Sequence, residues 1–184
     1  MKRIALAGCV AVMLAGVGVH ASQEGSPMPK PVKEHEWLQQ IVGEWDAVVE
    51  VKMDPAKPPE KSKGTESGRM IGGFWAVIEN RGEMMGAPFT GILTLGFDPD
   101  KKKYVGTWVD SMSSYLWRYE GTVDPTGKIL TLETEGPSFE APGKMCKFVE
   151  STELKGKDHK VFTSKFEKDG KWVTAVTIDY TRKK

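Results

Sequence analysis

Residues 43–53 read Gly-Glu-Trp-Asp-Ala-Val-Val-Glu-Val-Lys-Met, and the periodicity of the chain changes at the start of this stretch. From Trp45 onward, apolar residues recur at every second position, as in a strand with one buried face. Before Gly43, residues 35–42 place Trp37, Leu38, Ile41 and Val42 at helical spacing. The sequence therefore predicts a short helix over 35–42 that Gly43 ends, followed at once by the first strand.

Nine further strand-like runs follow the first strand and continue to the C-terminus. They are 65–71, 74–81, 89–97, 104–110, 115–123, 129–135, 145–154, 160–167 and 172–182. A proline- and lysine-rich loop is predicted over 54–63, and turns such as Asp124-Pro125-Thr126-Gly127 separate later runs. Loops this short join antiparallel neighbours, and closure removes the sheet edges. The predicted fold class is all-β: a single antiparallel meander β-barrel of about ten strands with a short N-terminal helix.

Aromatic residues share one face of two neighbouring predicted strands. Tyr104 and Trp108 lie on one, and Tyr115, Trp117 and Tyr119 lie on the next. Glycines occur on the same faces, where a curved sheet needs room. The pattern predicts large side chains that point to one side of the sheet.

The motif Gly43-Glu44-Trp45 after a helix resembles the Gly-x-Trp opening of the lipocalin and calycin barrels. In those families the tryptophan closes one barrel end and an arginine of the last strand packs over it, which implies barrel-closing roles for Trp45 and Arg182. More closely, residues 33–182 resemble the bacterial domain of unknown function 1579. The motifs that carry this resemblance are His35-Glu36-Trp37-Leu38, Val42-Gly43-Glu44-Trp45, Gly72-Gly73-Phe74-Trp75 and Gly96-Phe97-Asp98. The resemblance implies a lipocalin-like barrel and no particular activity.

The first residues have the three regions of a secretory signal. Lys2 and Arg3 precede an apolar stretch over 4–19, and Val19-His20-Ala21 ends in small residues. We expect a signal peptide over 1–21 cut after Ala21, a disordered lead over 22–33, and a barrel domain over 34–184. A lipoprotein lipidated at Cys9 and a membrane anchor are the alternatives. The expected location is periplasmic or secreted, with no stable membrane insertion after cleavage.

Cleavage after Ala21 would leave 24 basic against 25 acidic residues, which disfavours nucleic acid as a partner. Cys146 would then be the one remaining cysteine, so no internal disulfide can form. Its position in an alternating strand favours an inert, buried thiol over a reactive one. The oligomeric state cannot be read from the sequence.

Few residues suggest catalysis or a cofactor. His35 and His159 both fall outside the predicted strands, and neither has a second histidine at ligand spacing, so no metal or other cofactor is expected. Nitrobindin-like barrels, which resemble this architecture, hold haem through a histidine, and haem remains a minor alternative. Ser111, Ser113 and Ser114 lack the setting of a nucleophile elbow and are interpreted as a polar turn. No catalytic residue is assigned.

The hypothesis that follows is an exported barrel that binds a small apolar or amphipathic ligand. Trp108, Tyr115, Trp117 and Tyr119 are the predicted lining. Met84 and Met85, in a loop over 82–88, would either adapt to a ligand at the mouth or plug the barrel end. The alternatives are a filled barrel with a structural or partner-binding role, haem binding, and an enzyme.

The sequence also leaves the direction of two charged pairs open. Glu79 and Arg81 alternate on one strand, and Arg118 and Glu120 alternate on another. They form either a solvated outer face or a polar patch inside the barrel.

Overall fold

The structure is a computed structural model that describes residues 28–52, 58–139 and 141–184, with a compact unit over Pro31–Lys184. The predicted signal peptide and its cleavage site lie outside the described residues. Within those residues, no helix has both the length and the apolar character needed to cross a membrane.

The N-terminal helix is shorter than predicted and begins earlier. Helix α1 spans Lys33–Trp37 and continues as one 3₁₀ turn over Leu38–Gln40. The carbonyl oxygens of Gln40, Ile41 and Val42 accept hydrogen bonds from two side chains of the barrel. These side chains, and not further helical turns, satisfy the carbonyl groups at the end of the helix.

Ten strands follow the helix in chain order. They are β1 (Gly43–Val51), β2 (Glu60–Ile71), β3 (Trp75–Met84), β4 (Ala87–Asp98), β5 (Lys103–Asp110), β6 (Ser113–Val123), β7 (Ile129–Pro137), β8 (Met145–Gly156), β9 (His159–Lys168) and β10 (Lys171–Arg182). Each pairs antiparallel with its sequence neighbour, and β1 also pairs with β10, so the sheet closes into a barrel. The predicted ten-stranded lipocalin-like meander is confirmed.

Two predicted loops are shorter in the structure. β2 begins at Glu60 and not near residue 65, because Lys61 and Lys63 pair in register with Glu50 and Val48 of β1 while their side chains remain exposed. The loop predicted over 82–88 is a tight turn at Met85 and Gly86, whose φ angles are 54° and 77°. Positive φ at both central residues matches the twist of a hairpin and lets β3 and β4 pair up to the turn.

The helix covers the barrel end at which β1 begins and β10 ends. Trp37, Leu38 and Ile41 are buried in the main apolar cluster of the interior. The Tyr104 hydroxyl donates to the Glu34 carbonyl oxygen, and the Trp37 indole N–H donates to the Gly127 carbonyl oxygen. We call this end the closed end; the turns between β1 and β2, β3 and β4, β5 and β6, β7 and β8, and β9 and β10 form the opposite, open end.

The charged pairs whose direction the sequence left open lie on the outer face. Arg81 is exposed and forms an ion pair with Glu79 on the same strand. Glu120 forms ion pairs with Lys101 and Lys103, at 2.7 and 3.3 Å, with all three side chains about half exposed. Such exposed pairs contribute little to stability.

Candidate functional site

Trp45 lies at the closed end between two cationic side chains. Its ring is fully buried. The guanidinium carbon of Arg182 lies 3.9 Å from the ring centroid, and the Lys160 ammonium lies 4.4 Å from it. Arg182 also donates to the carbonyl oxygens of Val42 and Gln40, at 2.9 and 3.0 Å. The two residues that the family resemblance singles out are thus in contact, and Arg182 ties the last strand to the helix end.

A buried ion pair lies beside this tryptophan. The Lys160 ammonium is 2.5 Å from the Glu66 carboxylate and 2.8 Å from the Ile41 carbonyl oxygen. Burial raises the pKa of Glu66 and lowers that of Lys160, and the attraction between the two opposes both shifts. The pair is therefore held by mutual contact in a place where either charge alone would be costly.

Tyr180 extends the polar cluster across the interior. Its hydroxyl donates to the Asn80 side-chain oxygen at 3.0 Å, and its ring lies 4.8 Å from the Lys160 ammonium. Burial raises the Tyr180 pKa well above its usual value. Glu66, Asn80, Lys160 and Tyr180 thus form one connected network, which we call the closed-end network.

A second polar group lies further toward the open end. Glu150 of β8 is opposite Ser164 of β9, and the Ser164 hydroxyl is 3.3 Å from the Glu150 carboxylate. Tyr119 of β6 also hydrogen-bonds this carboxylate. Burial raises the Glu150 pKa to about 7, against an ordinary 4.5, although both hydrogen bonds lower it. We call Tyr119, Glu150 and Ser164 the lumen triad.

No cation neutralises Glu150 in the part of the chain that the structure describes. The causes of its pKa shift include no basic group, and it forms none of the ion pairs found among the described residues. Lys160 shares the inner face of β9 with Ser164 but lies four residues away, about 13 Å along the strand. It is held there by Glu66. Glu150 is thus a carboxyl group inside the barrel without a counter-ion.

The interior is filled unevenly around this carboxyl group. On β4 and β7 the inner face is fully buried at Leu95, Leu130 and Leu132. On β1, β8, β9 and β10 several inner-face residues keep partial exposure: Val49, Glu150, Thr152, Phe162 and Ile178. Phe162 and Ile178 pack against the separate cluster of Trp45, Ala47 and Tyr180. On the side of β1, β9 and β10, these inward side chains are thus only partly covered by their neighbours.

Two inner-face glycines let β2 and β3 approach closely, since a Cβ atom at Gly64 would lie 2.7 Å from the Arg81 carbonyl oxygen. Gly64 of β2 and Gly82 of β3 pair in register, next to Ala47 of β1. At the open end of these strands, a depression of about 260 Å³ is lined by Val51, Glu60, Lys61, Ser62, Glu83, Met84, Met85 and Gly86. A broader groove of about 710 Å³ is lined mainly by outward side chains of β1 to β3, including Asp46, Lys63 and Arg81. Neither depression includes Glu150.

The other side of the open end carries an aromatic cover. Phe139, in the β7–β8 loop, is half exposed, and its ring centroid lies 5.3 Å from that of Phe148 and 6.0 Å from that of Phe166. Trp117 packs edge-on against Phe148 at 4.9 Å. Phe148 and Phe166 pair in register two residues closer to the open end than Glu150 and Ser164. On this side, aromatic side chains thus lie between the lumen triad and the open end.

The predicted lining residues do lie on the inner face of β5 and β6, but they differ in environment. Trp117 and Tyr119 are 9% and 4% exposed and belong to the main core. Trp108 donates to the Asp110 carboxylate at 2.9 Å, and the Tyr115 hydroxyl donates to the Glu135 carbonyl oxygen at 3.0 Å. Met84 and Met85 line the depression of about 260 Å³, which none of these aromatics lines, and Met85 is 65% exposed.

Other residues weighed in the sequence lie away from the interior space. Trp75 of β3 and Trp172 of β10 are 41% and 49% exposed. His35 is a buried residue of helix α1 and packs against Phe74 and Phe97. His159 is the first residue of β9 and not outside the strands, and its side chain contacts Asp179 on the surface. Cys146 is half-buried on β8 and packs against the main core. The described residues contain no cluster of three or more potential metal ligands among His, Cys, Asp and Glu.

The sequence reading did not single out Glu66, Glu150 or Lys160. In a strand, residues two apart lie on the same face. Lys160 shares a face with Phe162 and Phe166 in this way, and Glu150 shares a face with Phe148. A charged residue in phase with phenylalanines should face inward and needs a partner.

Comparisons with known proteins identify a matching family and solved structures of similar fold. A protein-family model described as "Protein of unknown function (DUF1579)" matches residues 30–182. The crystal structure of Rv2717c from M. tuberculosis superposes with a TM-score of 0.61 at 14% identity, covering 84% of this chain and 100% of that one. A redesigned β-barrel gives a TM-score of 0.43 at 12% identity, covering 80% of this chain and 95% of that one. No curated protein matches the sequence significantly.

Proposed function

The chain belongs to the DUF1579 family, and we propose that it is a binding barrel for a small amphipathic molecule, held in the partly accessible interior beside the lumen triad. The observation that carries this proposal is the Glu150 carboxyl group, which lies half-buried inside the barrel and, among the described residues, accepts hydrogen bonds from neutral donors alone. A barrel interior with apolar walls and few polar groups is the usual form of a small-ligand site.

The walls of this space suit an apolar body. Val49 and Ile178 pair across β1 and β10, and Phe162 pairs with Ile178 across β9 and β10. All three are inward and retain exposed surface. Covering such surface with a ligand gains about 25 cal/mol per Å² of apolar area removed from water.

The polar group gives the ligand an orientation. A carboxylate offers about four acceptor positions, and Ser164 and Tyr119 supply two donors to Glu150. A polar group of a ligand can take a remaining position while its apolar part contacts Phe162 and Ile178. The closed-end network has its own partners and forms the floor beneath this space.

Two adjacent valines provide a matched test. Val49 faces inward, whereas Val48 is 46% exposed on the outer face. We expect wild-type protein to bind the neutral fluorescent probe N-phenyl-1-naphthylamine saturably. Val49→Trp should fill the space and reduce the probe affinity about tenfold or more, since each 1.4 kcal/mol lost is a factor of ten. Val48→Trp should bind like wild type.

The outcome that contradicts the proposal is equally clear. If wild type shows no saturable binding, or if both tryptophan variants bind as well as wild type, the probe does not enter the barrel. The filled-barrel alternative then gains support. Cooperative urea unfolding of each variant, followed in parallel, separates loss of the site from loss of the fold.

A further inference from the structure

We propose that the ligand carries a protonated amine, which pairs with Glu150 while an apolar tail lies against Phe162 and Ile178. This inference rests on the proposed function and names the class of ligand that the site selects.

The first step is the charge balance of the interior. The Lys160 ammonium is matched by Glu66 at 2.5 Å, and Arg182 binds backbone carbonyl oxygens at the closed end. Glu150 has no such match among the described residues, because Ser164 and Tyr119 are both neutral donors. A negative charge enclosed by protein and lacking a cation favours a cationic guest and disfavours an anionic one.

The second step is the set of groups that face Glu150 from the surrounding strands. Ser164 faces it from β9 and Tyr119 from β6. The ionised carboxylate also acts electrostatically on Tyr180 of β10. None of these groups is basic, and Asp110, which acts on Tyr119, is itself acidic. An ammonium group would therefore meet acceptors and no repelling cation.

The third step concerns the tail. Phe162 and Ile178 lie on neighbouring strands next to Ser164 and Val176, so apolar surface begins directly below the carboxyl group. The site thus joins one acidic group to adjoining apolar surface, which matches a primary alkylamine.

Three ligands with one tail and different head groups test the inference. Decylamine, decanol and decanoate should be measured by displacement of N-phenyl-1-naphthylamine near pH 8, where Glu150 is ionised and an alkylamine, like lysine with a pKa of about 10.4, stays protonated. Decylamine should bind about ten- to a hundred-fold more tightly than decanol, the range of a charged hydrogen bond. Decanoate should bind most weakly.

Two glutamates of β8 provide the matched variants. Glu150→Gln keeps the shape and should abolish the preference for decylamine over decanol, chiefly by weakening decylamine binding. Glu153→Gln, on the outer face beside Lys155, should behave as wild type. Near pH 5 the wild type should lose the amine preference, because Glu150 with a pKa of about 7 is then protonated.

The failures of the two proposals are distinguishable. Equal affinity of decylamine and decanol, or an amine preference that survives Glu150→Gln, overturns the amine inference and leaves the binding barrel intact. Failure of all three ligands and of the probe to bind overturns both. If Glu150→Gln does not fold, Glu150→Asp supplies the second variant: it keeps the charge and shortens the side chain by one methylene, so the amine preference should persist at reduced affinity. Loss of that preference in a folded Glu150→Asp protein counts against the inference.

Discussion

Arg182 lies over the ring of Trp45, with its guanidinium carbon 3.9 Å from the ring centroid, although the two residues are at opposite ends of the barrel sequence. They are in register across β1 and β10, the pair of strands that closes the sheet. Arg182 also binds the last carbonyl groups of the helix segment. The Arg182 side chain thus joins the first strand, the last strand and the segment after the helix at the closed end.

Removal of the Trp45 ring should destabilise the protein strongly. The side chain is fully buried, so Trp45→Ala should lower the free energy of unfolding by about 3–5 kcal/mol, the range for truncation of a large buried aromatic. Trp172→Ala is the matched control, because Trp172 is 49% exposed, and it should cost well under half as much. Urea unfolding midpoints measure both. Equal midpoints for the two variants would show that Trp45 does not seal the barrel.

The Lys160–Glu66 pair should show strong coupling between its members. Lys160→Met leaves Glu66 buried without its cation, so the free energy of unfolding should fall by about 3–5 kcal/mol. Adding Glu66→Gln removes the unpaired buried carboxylate and should restore a large part of the lost free energy of unfolding. A double-mutant cycle from urea unfolding gives the coupling energy directly. Strictly additive effects would argue against a pair held by mutual contact.

Stability should depend on pH through Glu150. Its native pKa of about 7 lies above its ordinary 4.5, so its contribution is present below about pH 4.5 and is lost as the pH rises through about 7. Relative to Glu150→Gln, the wild type should therefore lose on the order of 3 kcal/mol of unfolding free energy between about pH 4 and pH 8. Urea unfolding of both proteins at each pH measures the difference. Parallel pH profiles would show that Glu150 is not buried inside the barrel.

Gly136 should be intolerant of a side chain. A Cβ atom at this position would run into the Trp117 ring, whereas one at Gly156 would meet nothing within 4 Å. Gly136→Ala should therefore cost about 1–3 kcal/mol by overpacking, and Gly156→Ala should change stability by less than about 0.5 kcal/mol. Thermal or urea unfolding compares them. A smaller ring at position 117, as in Trp117→Leu, should relieve much of the cost at Gly136.

Alternation and turn chemistry sufficed to predict the barrel because most strands keep one strongly apolar phase. In β6 that phase contains Tyr115, Trp117 and Tyr119, and the structure places all three inward. The strand ends were harder to predict. Lys61 and Lys63 resemble loop residues in composition, yet their backbone groups pair with β1 while the side chains stay in solvent.

The candidate site was harder to predict than the fold, because β8 has polar residues in both phases. Phe148, Glu150 and Thr152 alternate with Val149, Ser151 and Glu153, so the phase that Glu150 shares with Phe148 is a weaker signal than in the other strands. The structure settles the orientation by placing Glu150 opposite the buried Ser164 of β9. The interior aromatics predicted as lining turn out to supply much of the core, since Gly136 leaves room for the Trp117 ring to pack.

The position of a bound ligand tests the central claim most directly. Methyl NMR spectra of protein labelled at isoleucine report separately on Ile178, which faces the partly accessible interior, and on Ile92, which is 39% exposed on the outer face. Titration with decylamine should shift the Ile178 methyl signal saturably and leave the Ile92 signal unchanged. Saturable shifts at Ile92 without any at Ile178, or no shift at either methyl group, would contradict a ligand site inside the barrel.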